Sequence, residues 1–347
     1  MTTDKKKKVG WQIGFLLFLI MGTVAIILQQ KNTVYRHNEG FIFGTVYHVT
    51  YQSNDDLQSE IESELKKVDD EFSMFNKQSS VTTFNQAGRL NMSSMFEEVF
   101  QMAADVNKET DGAFDITVAP LVNAWGFGFK NQKNQKLPSP DSVKNMLRHV
   151  GMDKLEVKKA GGKRTLWKKD MAVMLDFSAI AKGYGSDCVA RLLRHHDIKN
   201  FMIEIGGEVV TSGVSEKRLP WKIGVSKPSD DSLSVNQELQ TVLNVTDRAM
   251  ATSGNYRNFY YKGGKKYAHT IDPKTGCPVQ HSLLSATVIA PSCAIADAYA
   301  TSFMVMGIER AKAVLEHHPE LKAYFIYANS KGDNEVWHSE GLIDSKQ

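Results

Sequence analysis

The chain has 347 residues, long enough for one large domain or two modest ones, with a sizeable core and a deep pocket. Its 42 basic and 39 acidic side chains leave a formal charge of +3, and Lys5 to Lys8 account for much of the excess, so no polyanion-binding signal remains and nucleic acid is excluded as a partner. The three cysteines, Cys188, Cys277 and Cys293, are an odd number without metal-type spacing, which excludes a disulfide framework and a zinc site and leaves burial as small apolar residues.

The lysines precede an apolar run from Trp11 to Leu28, interrupted by Gln12, Gly14, Gly22 and Thr23. Its length just reaches that of a membrane-spanning helix, and it lacks the small residues of a cleavage site, so a signal anchor is expected, with a cleaved signal as the alternative. Basic residues before the span place residues 1–10 in the cytoplasm and the rest beyond the membrane. A polar linker follows. Phe41 to Tyr51 reads as a strand with Gly44 inside it, and Leu57, Ile61, Leu65, Val68 and Phe72 recur at helical spacing. Ser94 and Glu97 form a capping box for a helix that ends before Asp111-Gly112, and Ser139-Pro140 opens another that stops at Gly151. Met171 to Phe177 reads as a buried strand, followed by a helix from Ile180 to His196. Strands are expected at 201–205, 221–225, 239–245, 284–289, 323–327 and 335–338, with helices at 294–306 and 309–317. The mixture points to an α+β domain rather than a regular doubly wound one.

Three places carry residues suited to chemistry. Asp297 and Thr301, four apart on a helix that Ser292 can cap, project two oxygen donors from one face beside small alanines, as a hard cation such as magnesium requires. A solvent-facing acid and an ordinary helix threonine would have the same spacing. Asp176 to Gly183 is a strand-to-helix junction, where a backbone carbonyl can meet a metal and amides and a lysine can face phosphate; Asp176 or Ser178 acting only as a helix cap, with Lys182 solvated, is the plainer reading. His269, just before the turn Thr270 to Gly276, is placed to accept a proton from a hydroxyl, unless it is simply structural. Gly206-Gly207-Glu208 and Gly263-Gly264 lack phosphate-loop spacing and read as turns.

Taken in order, Gly44-Thr45, Ser80 to Asn85, Asp111 to Thr117, Asp176 to Gly183, Ile205 to Glu208, Ala251 to Gly254, His269 to Gly276 and Ala296 to Thr301 resemble the ApbE family of FAD:protein FMN transferases, over about Gly40 to Ala328. The resemblance implies a single ApbE-like, T-fold-related α+β domain with mixed β-sheets and flanking helices at residues 40–340. It would be preceded by the transmembrane helix at 11–28 and a linker at 29–39, with the catalytic domain on the periplasmic side of a bacterial inner membrane. It also implies FAD as substrate, Mg2+ across its diphosphate, and transfer of FMN to a threonine or serine with release of AMP. The metal ligands would be the Ala179 carbonyl, Asp297 and Thr301. The flavin contacts would be Phe43, Phe75, Ala113, Phe114, Asp115, Asp176, Lys182, Thr270 and Ile271, and the base His269.

The implied acceptors are membrane-bound flavin-carrying subunits of redox-driven ion pumps of NQR/RNF type. Family members commonly carry methionine at the position of Phe43 and tyrosine at that of Phe75, so ring packing is kept and one phenolic hydrogen bond is lost. Most exported relatives are lipoproteins or have a cleaved signal, a further departure at the N-terminus. An FAD pyrophosphatase that uses water, and a non-catalytic periplasmic FAD-binding protein, are the alternatives.

Overall fold

The computed structural model describes residues 11–24, 33–128, 136–228, 238–256 and 258–342. The first element, α1, covers residues 11–24. No helix among the described residues is long and apolar enough to cross a membrane, which overturns the expected transmembrane helix. Residues 1–10, and 25–28 of the expected span, lie outside the described residues.

The strands β1 (Tyr35–Ile42) and β2 (Thr45–Gln52) form a hairpin in place of the single strand expected from Phe41, and β1 begins inside the stretch read as linker. Phe43 and Gly44 both have positive φ, +52° and +76°, the geometry of a two-residue turn matched to strand twist. Then come α2 (Gln58–Phe72), α3 (Ser80–Ala87), β3 (Arg89–Asn91) and α4 (Ser94–Glu109). The cap of α4 is Ser93, whose side chain accepts from the Phe96 amide at 3.0 Å; Glu97 turns away from the expected capping box to pair with Arg164 at 2.5 Å. After α5 (Ala119–Ala124), α6 (Pro140–Leu147) starts as expected, with the Ser139 side chain accepting from Ser142 N. The strands β4 (Leu155–Ala160) and β5 (Lys163–Lys168) complete a small sheet with β3.

Met171 to Phe177 is not a strand. Only Met174 makes a bridge, to Val118, because side chains and loops take over its backbone groups: Asn85 exchanges two hydrogen bonds with Leu175, and the Asp176 amide donates to the Ile116 carbonyl. This segment leads into α7 (Ala181–His195), which is followed by β6 (Phe201–Ile205), β7 (Glu208–Ser212), β8 (Lys222–Ser226), β9 (Leu239–Asn244) and β10 (Ala249–Gly254). The hairpin β11 (Phe259–Lys262) and β12 (Lys265–Ala268) precedes β13 (Leu283–Ala290), α8 (Cys293–Met306), α9 (Ile308–His317), β14 (Lys322–Ala328) and β15 (Asn334–His338).

Eight strands make the main sheet, in the order β1-β2-β6-β7-β10-β13-β14-β15. Every pairing between named strands is antiparallel, so the fold is α+β, but its sheets are not mixed. Short turns such as Phe43-Gly44 and Gly206-Gly207 return the chain directly beside itself, which produces antiparallel pairs.

Behind the sheet lies α8, buried along almost its whole length, with Ala294, Ala296, Ala298 and Ala300 fully enclosed. Phe72, Phe96, Phe177 and Tyr184 pack with ring centroids 5.0 to 6.0 Å apart and tie α2, α4 and the approach to α7 into one core. Each such ring contributes about 1.5–3 kcal/mol by burial, which fixes the start of α7 against the neighbouring helices.

Candidate active site

The N-terminal turns of α7 and α8 are capped by each other. Asp187 of α7 accepts from the Cys293 and Ala294 amides, both at 2.9 Å, and from Ser292 Oγ at 3.0 Å, while Ser292 caps α8 from within as its sequence predicts. In return, Asp297 Oδ2 of α8 accepts from the Gly183 amide at 3.2 Å. Such contact needs close approach: a Cβ on Gly183 would lie 2.3 Å from the Cys293 carbonyl oxygen, so only glycine fits. In an uninterrupted helix the Gly183 N–H would bond the carbonyl four residues back, that of Ala179. In α7, which begins at Ala181, it is one of the donors that a helix start leaves without an intrahelical partner, and Asp297 satisfies it.

Lys182 sits between two carboxylates. Its Nζ is 2.7 Å from Glu208 Oε1 and 3.9 Å from Asp297 Oδ2, and both acids are only 3% exposed. Burial opposes the lysine's charge, but Asp297 and Glu208 outweigh it and hold the Lys182 pKa above the ordinary lysine value. Burial raises both carboxylates above their usual range, against the pull of Lys182. Glu208 Oε2 is buried without a hydrogen-bond partner. Sequence reasoning missed Glu208, reading Gly206-Gly207-Glu208 only as a turn. The one available signal was an acid opening the apolar run Val209-Val210.

The end of β10 links Asp297's helix to the histidine segment. Ser253 Oγ lies 3.0 Å from Thr301 Oγ1, and two residues on, Asn255 Oδ1 accepts from Thr270 Oγ1 at 2.7 Å. His269 follows β12, its amide bonded to the Asn258 carbonyl at 3.1 Å and its ring edge-on to Phe127 at 6.4 Å. Its Nδ1 is buried and unpartnered, and burial lowers its pKa below the ordinary histidine value.

The other expected contacts divide. Phe43 packs at the start of α7, its ring 2.7 Å from where a Cβ on Gly185 would stand. The Asp176 carboxylate accepts from the Ser178 amide at 2.8 Å, one residue before Ala179, so it also serves as a local turn cap. Asp115 accepts from the Thr117 amide and hydroxyl at 2.8 and 2.6 Å, and burial raises its pKa. Ala113, Phe114, Thr270 and Ile271 have buried side chains, so chiefly their backbone is available to a ligand. The Phe75 ring is 79% exposed, with most of its surface available to a ligand. Of the cysteines, Cys188 and Cys293 are buried as expected, whereas Cys277 is exposed in the turn after Thr275; all three are free.

Among the described residues no group of three His, Cys, Asp or Glu side chains gathers as a metal site. The donors on offer are one carboxylate, one carbonyl and one hydroxyl, a hard all-oxygen set. Asp297 takes its one hydrogen bond from Gly183, with Lys182 beyond ordinary hydrogen-bond distance, which leaves accepting capacity on the carboxylate. The residues therefore fit a magnesium-like cation.

Residues 43–325 match the model of the ApbE family. The chain is 36% identical over 331 residues to the FAD:protein FMN transferase of Haemophilus influenzae, covering 90% of this chain and 94% of that protein. It is 38% identical over 289 residues to the protein of the same name from Vibrio cholerae, covering 81% and 84%. The solved structure of the flavin transferase ApbE from Vibrio cholerae superposes with a TM-score of 0.79 at 34% identity, covering 89% of this chain and 98% of that one. By sequence and by fold, the chain belongs to the ApbE family.

Proposed function

We propose that this protein is a magnesium-dependent FAD:protein FMN transferase. A threonine or serine hydroxyl of an acceptor protein attacks the phosphorus of the FMN half of FAD. The new phosphoester bond forms as the anhydride bond breaks, and AMP leaves with the bonding electron pair. His269 accepts the hydroxyl proton; its unpartnered Nδ1 and lowered pKa, which keeps the ring neutral at pH 7, favour that role. Lys182, held cationic by Glu208 and Asp297, faces the diphosphate. The Ala179 carbonyl, the Asp297 carboxylate and the Thr301 hydroxyl would hold magnesium, which would supply neutralisation of charge at the diphosphate. Phe43 and Phe75 border the flavin ring. The backbone around Ala113, Phe114 and Asp115, with Asp176, Thr270 and Ile271, completes its cradle.

One observation carries this reading: the Gly183 amide is given to Asp297, which joins the starts of the two helices beside Lys182. The names of the relatives favour the same reaction. The acceptors proposed are flavin-carrying subunits of membrane-bound, redox-driven ion pumps, following the family resemblance. Incubated with FAD, magnesium and a threonine-bearing acceptor, the protein is expected to give a fluorescent acceptor band on a denaturing gel. Asp297→Ala is expected to slow its appearance by at least about a hundredfold. An undiminished rate in that variant refutes metal assistance at Asp297. AMP released equally fast without acceptor identifies a hydrolase instead.

A further inference from the structure

We propose that Glu208 is a positioning residue that holds Lys182 off Asp297 and so keeps the Asp297 carboxylate open to a divalent cation, an inference that rests on the cation site of the transferase reading. Two buried acids compete here for one ammonium. Among the described residues Lys182 is the cation paired with each of them, its Nζ 2.7 Å from Glu208 Oε1 and 3.9 Å from Asp297 Oδ2. The shorter contact is a charge-assisted hydrogen bond, and the longer one is not. The other partners of the two acids explain the difference. Asp297 Oδ2 already accepts from the Gly183 amide at 3.2 Å, a backbone donor fixed in place. Glu208 is less well served, since its Oε2 is buried without a hydrogen-bond partner. A buried carboxylate short of donors is costly, so the ammonium stays with the acid that needs it more.

The backbone around the three residues is pinned, so the lysine side chain is the part free to move. Gly206 and Gly207, with φ of +63° and +106°, turn the chain between β6 and β7 and set Glu208 at the first position of β7, opposite Ile205. The fully buried Ser186 Oγ lies 3.3 Å from the Lys182 carbonyl and 3.4 Å from the Glu208 carbonyl, which ties the first turn of α7 to the start of β7. The Cys293 thiol lies 3.6 Å from the Val209 carbonyl and ties α8 to the same strand. Between these fixed points Lys182 carries a flexible four-carbon stem. With the charge of Glu208 removed, the buried anion left to the ammonium is Asp297, which stands about 1 Å beyond hydrogen-bond distance. A lysine that closes this gap fills a lone pair the cation would use and neutralises the charge that attracts it. Glu208 therefore acts on the cation through Lys182, without touching it.

The experiment reads metal binding without turnover. Mn2+ is titrated into the full chain with FAD and no acceptor, and free Mn2+ is followed by electron paramagnetic resonance; the ion counted is the one lost in Asp297→Ala. Glu208→Gln, which keeps the shape and removes the charge, is expected to raise the Kd for Mn2+ about tenfold. Glu208→Asp keeps the charge and is expected to recover most of the affinity. In a Lys182→Met background the competing ammonium is gone, and Glu208→Gln is expected to leave the Kd unchanged. A crystal structure of metal-free Glu208→Gln is expected to show Lys182 Nζ within hydrogen-bond distance of Asp297, a readout that does not depend on how well Lys182→Met folds. FMN transfer by Glu208→Gln is expected to fall short at limiting magnesium, the shortfall shrinking as magnesium is raised.

Wild-type affinity for Mn2+ in Glu208→Gln overturns the proposal. So does a loss of the same size in the Lys182→Met background, because Glu208 then attracts the cation by its own charge. A lysine that keeps its distance from Asp297 in the crystal of Glu208→Gln overturns it as well. If Mn2+ binding follows the expected pattern but no acceptor gains FMN, the positioning role stands and the transferase reading fails. If acceptors gain FMN while Mn2+ affinity ignores Glu208, the transferase reading stands and the positioning role fails.

Discussion

At the scale of single residues, Lys182 is the charge on which two buried acids depend. Replacing it by methionine strands Glu208 and Asp297 without a cation, a change expected to cost about 3 kcal/mol at neutral pH. Burial raises both carboxylates above their ordinary values of 4.5 and 3.8. As pH rises, the unfolded chain therefore loses these protons before the folded one, and the variant's penalty grows. Urea melts from about pH 4 to about pH 8 are expected to show a widening gap between Lys182→Met and wild type, and a constant gap contradicts the triad. His269 titrates the other way: burial lowers its pKa from 6.5, so the ring is neutral and able to accept a proton at pH 7. The acidic limb of the kcat/KM profile is expected to fall below pH 6.5 and to vanish in His269→Gln. A limb above that value assigns the base elsewhere.

At the scale of elements, the site exists because α7 and α8 cap each other, and Gly183 is the point of closest approach. Gly183→Ala sets a methyl against the Cys293 carbonyl oxygen, a rigid neighbour, so the helices must separate. The expected cost is about 1–3 kcal/mol of stability, with loss of FMN transfer beyond what the stability change explains. A variant that melts like wild type with full activity refutes the close-packing account. Much of this pair was legible beforehand. Asp297 and Thr301 stood out because helical spacing alone puts them on one face, and Ser292 is a cap by residue type. Glu208 was not legible, because its pairing with Lys182 passes through β6 and depends on which strand lies beside α7. The supposed strand at 171–177 failed for a related reason: its apolar character was read correctly, but Asn85 and Ile116 supply the partners that a neighbouring strand would have given. Phe43-Gly44 was swallowed into one long strand because phenylalanine is rarely found at the positive φ a two-residue turn demands.

At the scale of the whole molecule, the eight-stranded antiparallel sheet is the frame that holds distant segments in register. Its strand β10 reaches both Thr301, through Ser253, and Thr270, through Asn255, so the candidate cation site and the candidate base rest on one strand end. The α+β class and the order of most elements were readable from periodicity and turn residues. The expected membrane-spanning helix is not found among the described residues, where no helix is long and apolar enough to cross a membrane. The central claim is that this frame brings an acceptor hydroxyl to the FMN phosphorus of FAD. The most direct measurement is the intact mass of a threonine-bearing acceptor after incubation with the protein, FAD and magnesium, followed by fragmentation to locate any addition. The expected result is a gain of one FMN phosphoryl unit on a threonine or serine, with AMP formed in equal amount; an acceptor of unchanged mass beside consumed FAD contradicts the claim.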